Sequence, residues 1–300
     1  MDEIRNMGED SLIDKLLEQV PAAALGTGAA GAGDDCAVIE ADGDVQQLLK
    51  TDAMVEGRHW DPDTEASRVG WKAVARVISD IAAMGGRPEE FLVTLALPGS
   101  VSVDWATGLY RGMGKCLEAF GARMVGGETT RCPEGAPVVI SIAARGVVNR
   151  EQVTLRSEGK AGDLLLVTGK LGGSLEERHL DFLPRVEEAD WLTRQFKPTA
   201  MMDLSDGLAA DLPRLARASG CGAKLDHSAL PLHANCSIEQ ALNDGEDYEL
   251  LFAIDADSVA PLRESWAKRF PETALSVIGS LCEIEEGDTL SGGWDHFRKD

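Results

Sequence analysis

Apolar positions recur along this chain with two different periods, and the alternation between them lays out two cycles of strands and helices. Residues 10–20 carry an amphipathic pattern that predicts a short helix, and the glycine-rich run GTGAAGAGDDCAVIE predicts a loop entering a strand at Ala37–Glu40. In QQLLKTDAMVEGRHW the pattern predicts a strand ending in a polar loop that holds Thr51, Asp52 and His59. From Ala66 to Met84 the residues Val69, Ala73, Val74, Val77 and Ile81 fall at helical spacing, and Gly85-Gly86 stops the helix. EEFLVTLALP predicts a strand, residues 104–120 a second long helix, and ARMVGG and PVVISIAARGVV two further strands.

The second cycle begins with a strand at AGDLLLVTG. It continues with a helix over 205–219 ended by Gly220, strands at GAKLD and DYELLFAI, a helix over 257–269 and a strand at ALSVIGSL. Residues 170–199 show no period that places an element. A chain of 300 residues with helices and strands mixed in each half predicts a mixed α/β (α+β) protein of two domains, 1–148 and 149–300, with a seam near 148–162. The halves echo each other weakly. ISDIAAMGG at 78–86 resembles LSDGLAADL at 204–212, and GDDCAV at 33–38 resembles GEDYEL at 245–250, in the same order.

Charge narrows the functions open to such a chain. Acidic residues number 51 against 29 basic ones, a formal net charge of −22, so the field around the protein repels nucleic acid and anionic membranes. An anionic substrate would need cations as intermediaries. The six cysteines (Cys36, Cys116, Cys132, Cys221, Cys236, Cys282) are scattered without zinc-like spacing and predict reduced thiols in a cytoplasm. The first twenty residues are acidic and amphipathic, unlike a secretory leader, and no apolar run approaches the ~18 residues of a membrane span.

The segment AMMDLSDGLAADL sets Asp203, Asp206 and Asp211 in an apolar frame. Further acidic residues adjoin glycines or element ends: Asp34-Asp35, Asp52, Glu128 and Glu246-Asp247. Asp80 instead falls inside the apolar periodicity of its helix, where an unpaired carboxylate costs several kcal/mol. Helix capping is one reading of Asp203 and Asp206. Taken together, hard oxygen ligands without clustered His or Cys point to magnesium, which keeps waters and bridges phosphates. Metals would explain why carboxylates sit in an apolar frame, and how an acidic protein recruits an anion. No GxxxxGK[ST] loop and no kinase-type glycine loop followed by HRD is present, and the loose GxGxxG in GTGAAGAGDD precedes its strand, contrary to a dinucleotide fingerprint.

GDDCAV, KTDAMVEGRHW, ISDIAAMGGRPEEFLVTLALP, GGETTR, MMDLSDGLAADL, GEDYEL and GGWDHF stand in an order and spacing that resembles the thiamine-monophosphate kinases. That superfamily includes aminoimidazole ribonucleotide synthetase and selenophosphate synthetase. The resemblance covers most of the chain apart from about 170–199. It implies a two-domain aminoimidazole ribonucleotide synthetase-like fold, with an N-terminal domain for ATP, Mg²⁺ and dimerisation and a C-terminal domain completing the site. The implied reaction is direct in-line transfer from ATP to thiamine monophosphate, assisted by several Mg²⁺ ions, in a homodimer that binds neither nucleic acid nor membrane.

By the same resemblance, Asp35, Thr51, Asp52, Asp80, Glu128, Asp203 and Asp206 would be metal ligands, with Asp206, Asp80 and Asp52 at the chemistry. Tyr110, Gly126, Gly127, Glu128, Arg156 and Ser205 would contact ATP. His59, Glu246 and Trp294 would hold the second substrate through a hydrogen bond to phosphate, pairing with the cationic or amino parts, and a flat aromatic face. The chain departs from the family at four places. Lys50 stands where serine is usual in STD, Glu128 where aspartate is usual in GGDTT, and Asp244 where glycine is usual before GED; GGSLEERHLDFLPR replaces GDSAAGL. Two other readings remain open on the sequence: a different ATP-dependent small-molecule enzyme of the same superfamily, or a nucleotide-binding relative without catalysis.

Overall fold

The structure is a computed structural model that describes residues 4, 7–21, 24–25, 33–41, 43–176 and 178–297. Most of the glycine-rich run before Gly33 lies outside the described residues. The first half runs α1 (Glu9–Leu17), β1 (Ala37–Ile39), β2 (Val45–Val55), α2 (Ala66–Ala83), β3 (Arg87–Pro98), α3 (Val103–Ala119), β4 (Arg123–Cys132) and β5 (Val139–Asn149). Its strands form one five-stranded sheet in the order β1-β2-β5-β3-β4, with β3 and β4 parallel and the other neighbours antiparallel.

The second half runs β6 (Leu164–Thr168), α4 (Val186–Gln195), β7 (Ala200–Asp203), α5 (Leu208–Ala218), β8 (Gly222–Leu225), α6 (Ile238–Asn243), β9 (Leu250–Ile254), α7 (Ala256–Arg269) and β10 (Leu275–Cys282). Its sheet has the order β7-β9-β6-β10-β8, with all pairs antiparallel. The mixed α/β architecture expected from the two periods is present in both halves. The strand orders differ, so the internal echo corresponds to short stretches and not to one repeated topology.

Helix α2 joins the two halves. Its residues Val69, Ala73, Val74, Val77, Ile78 and Ile81 pack under the first sheet with Leu48, Phe91, Ile140 and Ile142. Its last residues, Ala82 and Ala83, lie in a separate cluster with Leu166, Met201, Leu250 and Phe252 of the second sheet. A helix buried on nearly all sides has little room for charge. Yet α2 carries Lys72, Arg76 and Asp80, spaced four apart and therefore along one stripe of the helix.

Local differences from the sequence expectation fall near that stripe. Thr51 and Asp52 belong to β2 itself, which runs to Val55, and not to the loop after it. The side chains of Lys50 and Asp52 share the inward face of β2 with buried Leu48 and Met54, while Thr51 points to the exposed outward face with Leu49. The helix expected from residue 205 starts at Leu208, which leaves Ser205 and Asp206 in the turn after β7. Within 170–199 the structure adds α4, whose sequence VEEADWLTRQ buries only Ala189, Leu192 and Thr193. That is too narrow an apolar stripe to show as a period.

Candidate active site

Three carboxylates meet where the two sheets approach each other. Asp35 precedes β1, Asp80 is on α2 and Asp203 ends β7. All three are buried, and each offers an oxygen within 4.8 Å of the other two. Burial raises the Asp203 carboxyl, and the Asp35 charge raises it further, to about 7. Asp80 is pushed well above the usual carboxylate range by burial and by the charges of Asp203, Asp52 and Asp35, against the pull of Lys50. An array of this kind favours protons or cations among its oxygens.

Side-chain cations answer part of that demand. Lys50 Nζ lies 2.6 Å from Asp80 Oδ1. Arg156 pairs with Asp35, and its backbone N–H donates to Asp34 at 3.0 Å. Arg76 reaches Asp52 at 3.1 Å, and its Nε and Nη1 are buried with no hydrogen-bond partner among the described residues. Arg214 pairs with Asp206 and, at 3.0 Å, with Asp211. Asp203 instead accepts the Ser79 hydroxyl at 2.5 Å.

The turn at Ser205-Asp206 is held open by Asp211. This fully buried residue of α5 accepts the backbone N–H groups of Ser205 at 3.0 Å and Asp206 at 2.9 Å. With those amides committed to a side chain, the turn does not continue into the helix, and Ser205 and Asp206 face open space. A second loop locks onto it from GEDYEL, with the Glu246 N–H on the Ser205 carbonyl at 2.7 Å and the Tyr248 N–H on the Leu204 carbonyl at 2.8 Å. Glu246 and Tyr248 adopt φ of 52° and 51°, a conformation that costs non-glycine residues energy and is typical of functional sites.

Two cavities share that turn. One, of about 500 Å³, is lined by Asp34, Asp35, Lys50, Asp80, Arg156 and Arg214 together with Ser205 and Asp206. The other, of about 120 Å³, is lined by His59, Arg76, Glu246, Tyr248 and Trp294 and again by Ser205 and Asp206. Trp294 is fixed by its backbone N–H on the Asp206 carbonyl at 2.7 Å. His59 accepts the Val55 N–H on Nδ1 at 2.9 Å, which leaves the proton on Nε2. Burial and the Arg76 charge hold its pKa down to about 4, so the ring is neutral at pH 7.

Glu246 is set by groups that sequence reading did not single out. Lys72, with no exposed surface, places its ammonium 2.7 Å from Glu246 Oε2 and 2.6 Å from the His59 carbonyl. His179 Nδ1 adds a contact to Glu246 at 2.8 Å. Burial opposes ionisation of Glu246, but the His179 hydrogen bond and the Lys72 and Arg76 charges outweigh it and hold the carboxyl at about 2. The signal for Lys72 and Arg76 was present: both stand four-residue steps from Asp80 within an apolar helix. His179 lies in the unassigned segment and gave no signal.

The structure thus brings together Asp35, Asp80 and Asp203, and around them Asp52, Asp206, Ser205 and Arg156, with His59, Glu246 and Trp294 across the shared turn. It does not bring Thr51, Tyr110, Gly126, Gly127 or Glu128 to the walls of either cavity within one chain. Glu128, on β4, pairs with Thr94 of β3 and lies three strands from β2, roughly 14 Å away at the usual strand spacing, on the exposed outward face. Gly127 answers a packing need as well, because a Cβ there would lie 2.1 Å from the Val93 carbonyl oxygen. Two of the four family departures turn out to touch: Asp244 accepts the N–H of Gly173 in the altered segment at 2.7 Å.

Known proteins resemble the whole chain. The family model for AIR synthase related protein, N-terminal domain, matches residues 33–148, and that for the C-terminal domain matches residues 168–289. The thiamine-monophosphate kinase of Rhodopirellula baltica is 37% identical over 83% of this chain and 83% of its own length. That of Escherichia coli is 32% identical over 97% of this chain and 98% of its own. The solved structure of AaThiL complexed with AMPPCP and TMP superposes with a TM-score of 0.81 and 28% identity, covering 99% of each chain.

Burial at this site has a consequence for stability without metal. A carboxyl raised to about 7 when folded, like Asp203, binds more protons folded than unfolded between about pH 4 and 7, and Asp211 and Asp247 (about 7) and Asp34 (about 6) act in the same direction. Their stabilising share is complete below the unfolded pKa and is lost as pH rises through the folded one. Asp203→Asn keeps an acceptor for Ser79 and removes one buried charge. In metal-chelating buffer at pH 8 it should be more stable than wild type by on the order of 2 kcal/mol in urea unfolding, the difference vanishing near pH 4. Equal stabilities at pH 8 would contradict the assignment.

Proposed function

The chain belongs to the AIR synthase related family and, within it, to the thiamine-monophosphate kinases, and from that membership we propose that it phosphorylates thiamine monophosphate with ATP. The products are thiamine diphosphate and ADP. The observation that carries the reading is the Ser205-Asp206 turn, common wall of a large cavity flanked by carboxylates and arginines and of a smaller one flanked by His59, Glu246 and Trp294. A shared wall brings the phosphates of two substrates to one place, and phosphoryl transfer depends chiefly on positioning and charge neutralisation.

In this reading the nucleotide occupies the larger cavity, with Arg156 and the Ser205 hydroxyl on its phosphates. An oxygen of the acceptor phosphate forms the new bond to the γ-phosphorus in line as the bond from phosphorus to the bridging β,γ-oxygen breaks, and ADP leaves. No phosphoenzyme forms. In the smaller cavity Trp294 offers its face to the cationic heteroaromatic ring, Glu246 its ionised carboxylate to the cationic or amino parts, and neutral His59 an Nε2 proton to the acceptor phosphate.

The donor set fits Mg²⁺: Asp35, Asp80 and Asp203 present only oxygen, with one oxygen of each within 4.8 Å of the others, in surroundings that disfavour their unneutralised charge. These three would hold it, with Asp52 and Asp206 at its edge. Bound Mg²⁺ supplies charge neutralisation to the transferring phosphoryl group. Asp80, Asp52 and Asp206 are the carboxylates closest to the chemistry in this reading.

The reading also includes residues 1–148 and 149–300 as the two functional domains, a cytoplasmic setting, in keeping with six free thiols, and a homodimer built through the N-terminal sheet. The outward face of that sheet exposes Leu49 and Leu92, at 43% and 48%. Thr51 and Glu128 lie on the same face, and Gly126 pairs with Leu92 on it. A metal or nucleotide role for Thr51, Tyr110, Gly126, Gly127 and Glu128 then requires the second chain.

Two outcomes test these points. Purified protein given ATP, Mg²⁺ and thiamine monophosphate should form thiamine diphosphate, with kcat down at least about 100-fold in Asp206→Asn and, in Trp294→Ala, KM for the acceptor up about tenfold at unchanged KM for ATP. ATP binding with no product would sink the reading. In sedimentation, Leu92→Glu should shift the protein to its one-chain mass of 32.0 kDa, and an unchanged mass would remove the sheet as the interface.

A further inference from the structure

Lys50 is the one side chain of β2 that places a positive charge against the buried acid cluster. Its ammonium lies 2.6 Å from Oδ1 of Asp80, one of the three clustered carboxylates, and Asp80 is its sole hydrogen-bond partner among the described residues. An ammonium has three donors, so two remain uncommitted. The side chain is 22% exposed, and it lines the 500 Å³ cavity beside Asp35, Arg156 and Asp206. Lysine is the compact point charge among side-chain cations, in contrast to the planar forks of Arg156 on Asp35 and Arg76 on Asp52.

Neutralisation of Asp80 is therefore built into the chain. A divalent ion bound through Oδ1 would have to share the oxygen that Lys50 already holds, against the repulsion of two like charges at close range, so Lys50 leaves Asp80 only Oδ2 for an ion. An oxygen of a nucleotide phosphate entering the cavity would meet two free N–H donors. We propose, on the basis of the phosphotransfer reading above, that Lys50 serves as a fixed cation of the site. It takes one divalent position on Asp80 and binds a phosphate oxygen of the nucleotide directly, so the chain holds one divalent ion fewer than with a neutral residue at 50.

Divalent-ion count is the readout, taken as Mn²⁺ bound per chain by equilibrium dialysis and electron paramagnetic resonance with a saturating non-hydrolysable ATP analogue. Lys50→Ser should bind one Mn²⁺ more than wild type, and Lys50→Arg the same number as wild type. An unchanged count in Lys50→Ser, in protein that melts cooperatively, overturns the proposal. Should Lys50→Ser fail to fold, Lys50→Met keeps the apolar stem and removes only the charge. Its affinity for the analogue at saturating Mn²⁺ should fall about tenfold or more, and equal affinity overturns the proposal as well. A wild type that binds neither Mn²⁺ nor the analogue would instead overturn the phosphotransfer reading itself, an outcome separate from any effect at Lys50.

Discussion

Everything else in this structure accommodates the close approach of Asp35, Asp80 and Asp203. Two unit charges within 4.8 Å of each other repel by at least ~3 kcal/mol at the effective dielectric of a protein, and burial adds the loss of hydration. The protein meets this with side-chain cations and hydrogen bonds: Lys50 on Asp80, Arg156 on Asp35 and the Ser79 hydroxyl on Asp203. The remaining unfavourable charge gives the site its appetite for cations. In a protein of net charge −22, cations held there are the proposed means of bringing in two phosphorylated substrates.

Geometry follows from which elements carry these groups. Helix α2 lies between the sheets, so its stripe of Lys72, Arg76 and Asp80 reaches both cavities: Asp80 at the acid cluster, Arg76 at Asp52 and Lys72 under Glu246. From the other side come two loops of the second half, the turn of Ser205 and Asp206 and the GEDYEL segment, bound to each other through backbone hydrogen bonds. Asp211 draws the turn's amides out of the helix, and Glu246 and Tyr248 hold left-handed conformations. Tyr248 is in turn stacked on Phe182 at 3.9 Å. Such strain persists only where surrounding contacts over-determine the backbone, and here those contacts set the wall of the smaller cavity.

Much of this was legible in the sequence. The long helices and the strands of the first half follow from clear periods, and six of the seven motifs, GGETTR excepted, carry residues that the structure places at the site. Asp80 was conspicuous because a carboxylate interrupted an apolar stripe. The same logic extends to Lys72 and Arg76, which their four-residue spacing from Asp80 marks as partners. Other parts were hidden for physical reasons. His179 is brought to Glu246 by a segment with no period, and α4 buries too narrow a face to declare itself. The inward face of Asp52 and the outward face of Thr51 depend on strand register, since neighbours in a strand point to opposite sides. The separation of Glu128 from the acid cluster depends on strand order, which no local motif encodes.

The central claim is that cations gathered by the buried carboxylates are what admit a nucleotide to so acidic a protein. Its most direct test is the affinity for a non-hydrolysable ATP analogue, measured by titration calorimetry on the wild-type protein with excess Mg²⁺ and again in chelating buffer. The account predicts binding at least about 100-fold weaker without the divalent ion, a coupling of about 3 kcal/mol between ion and nucleotide. Equal affinities in the two buffers would contradict it, because the carboxylates would then have no part in recruiting the anion.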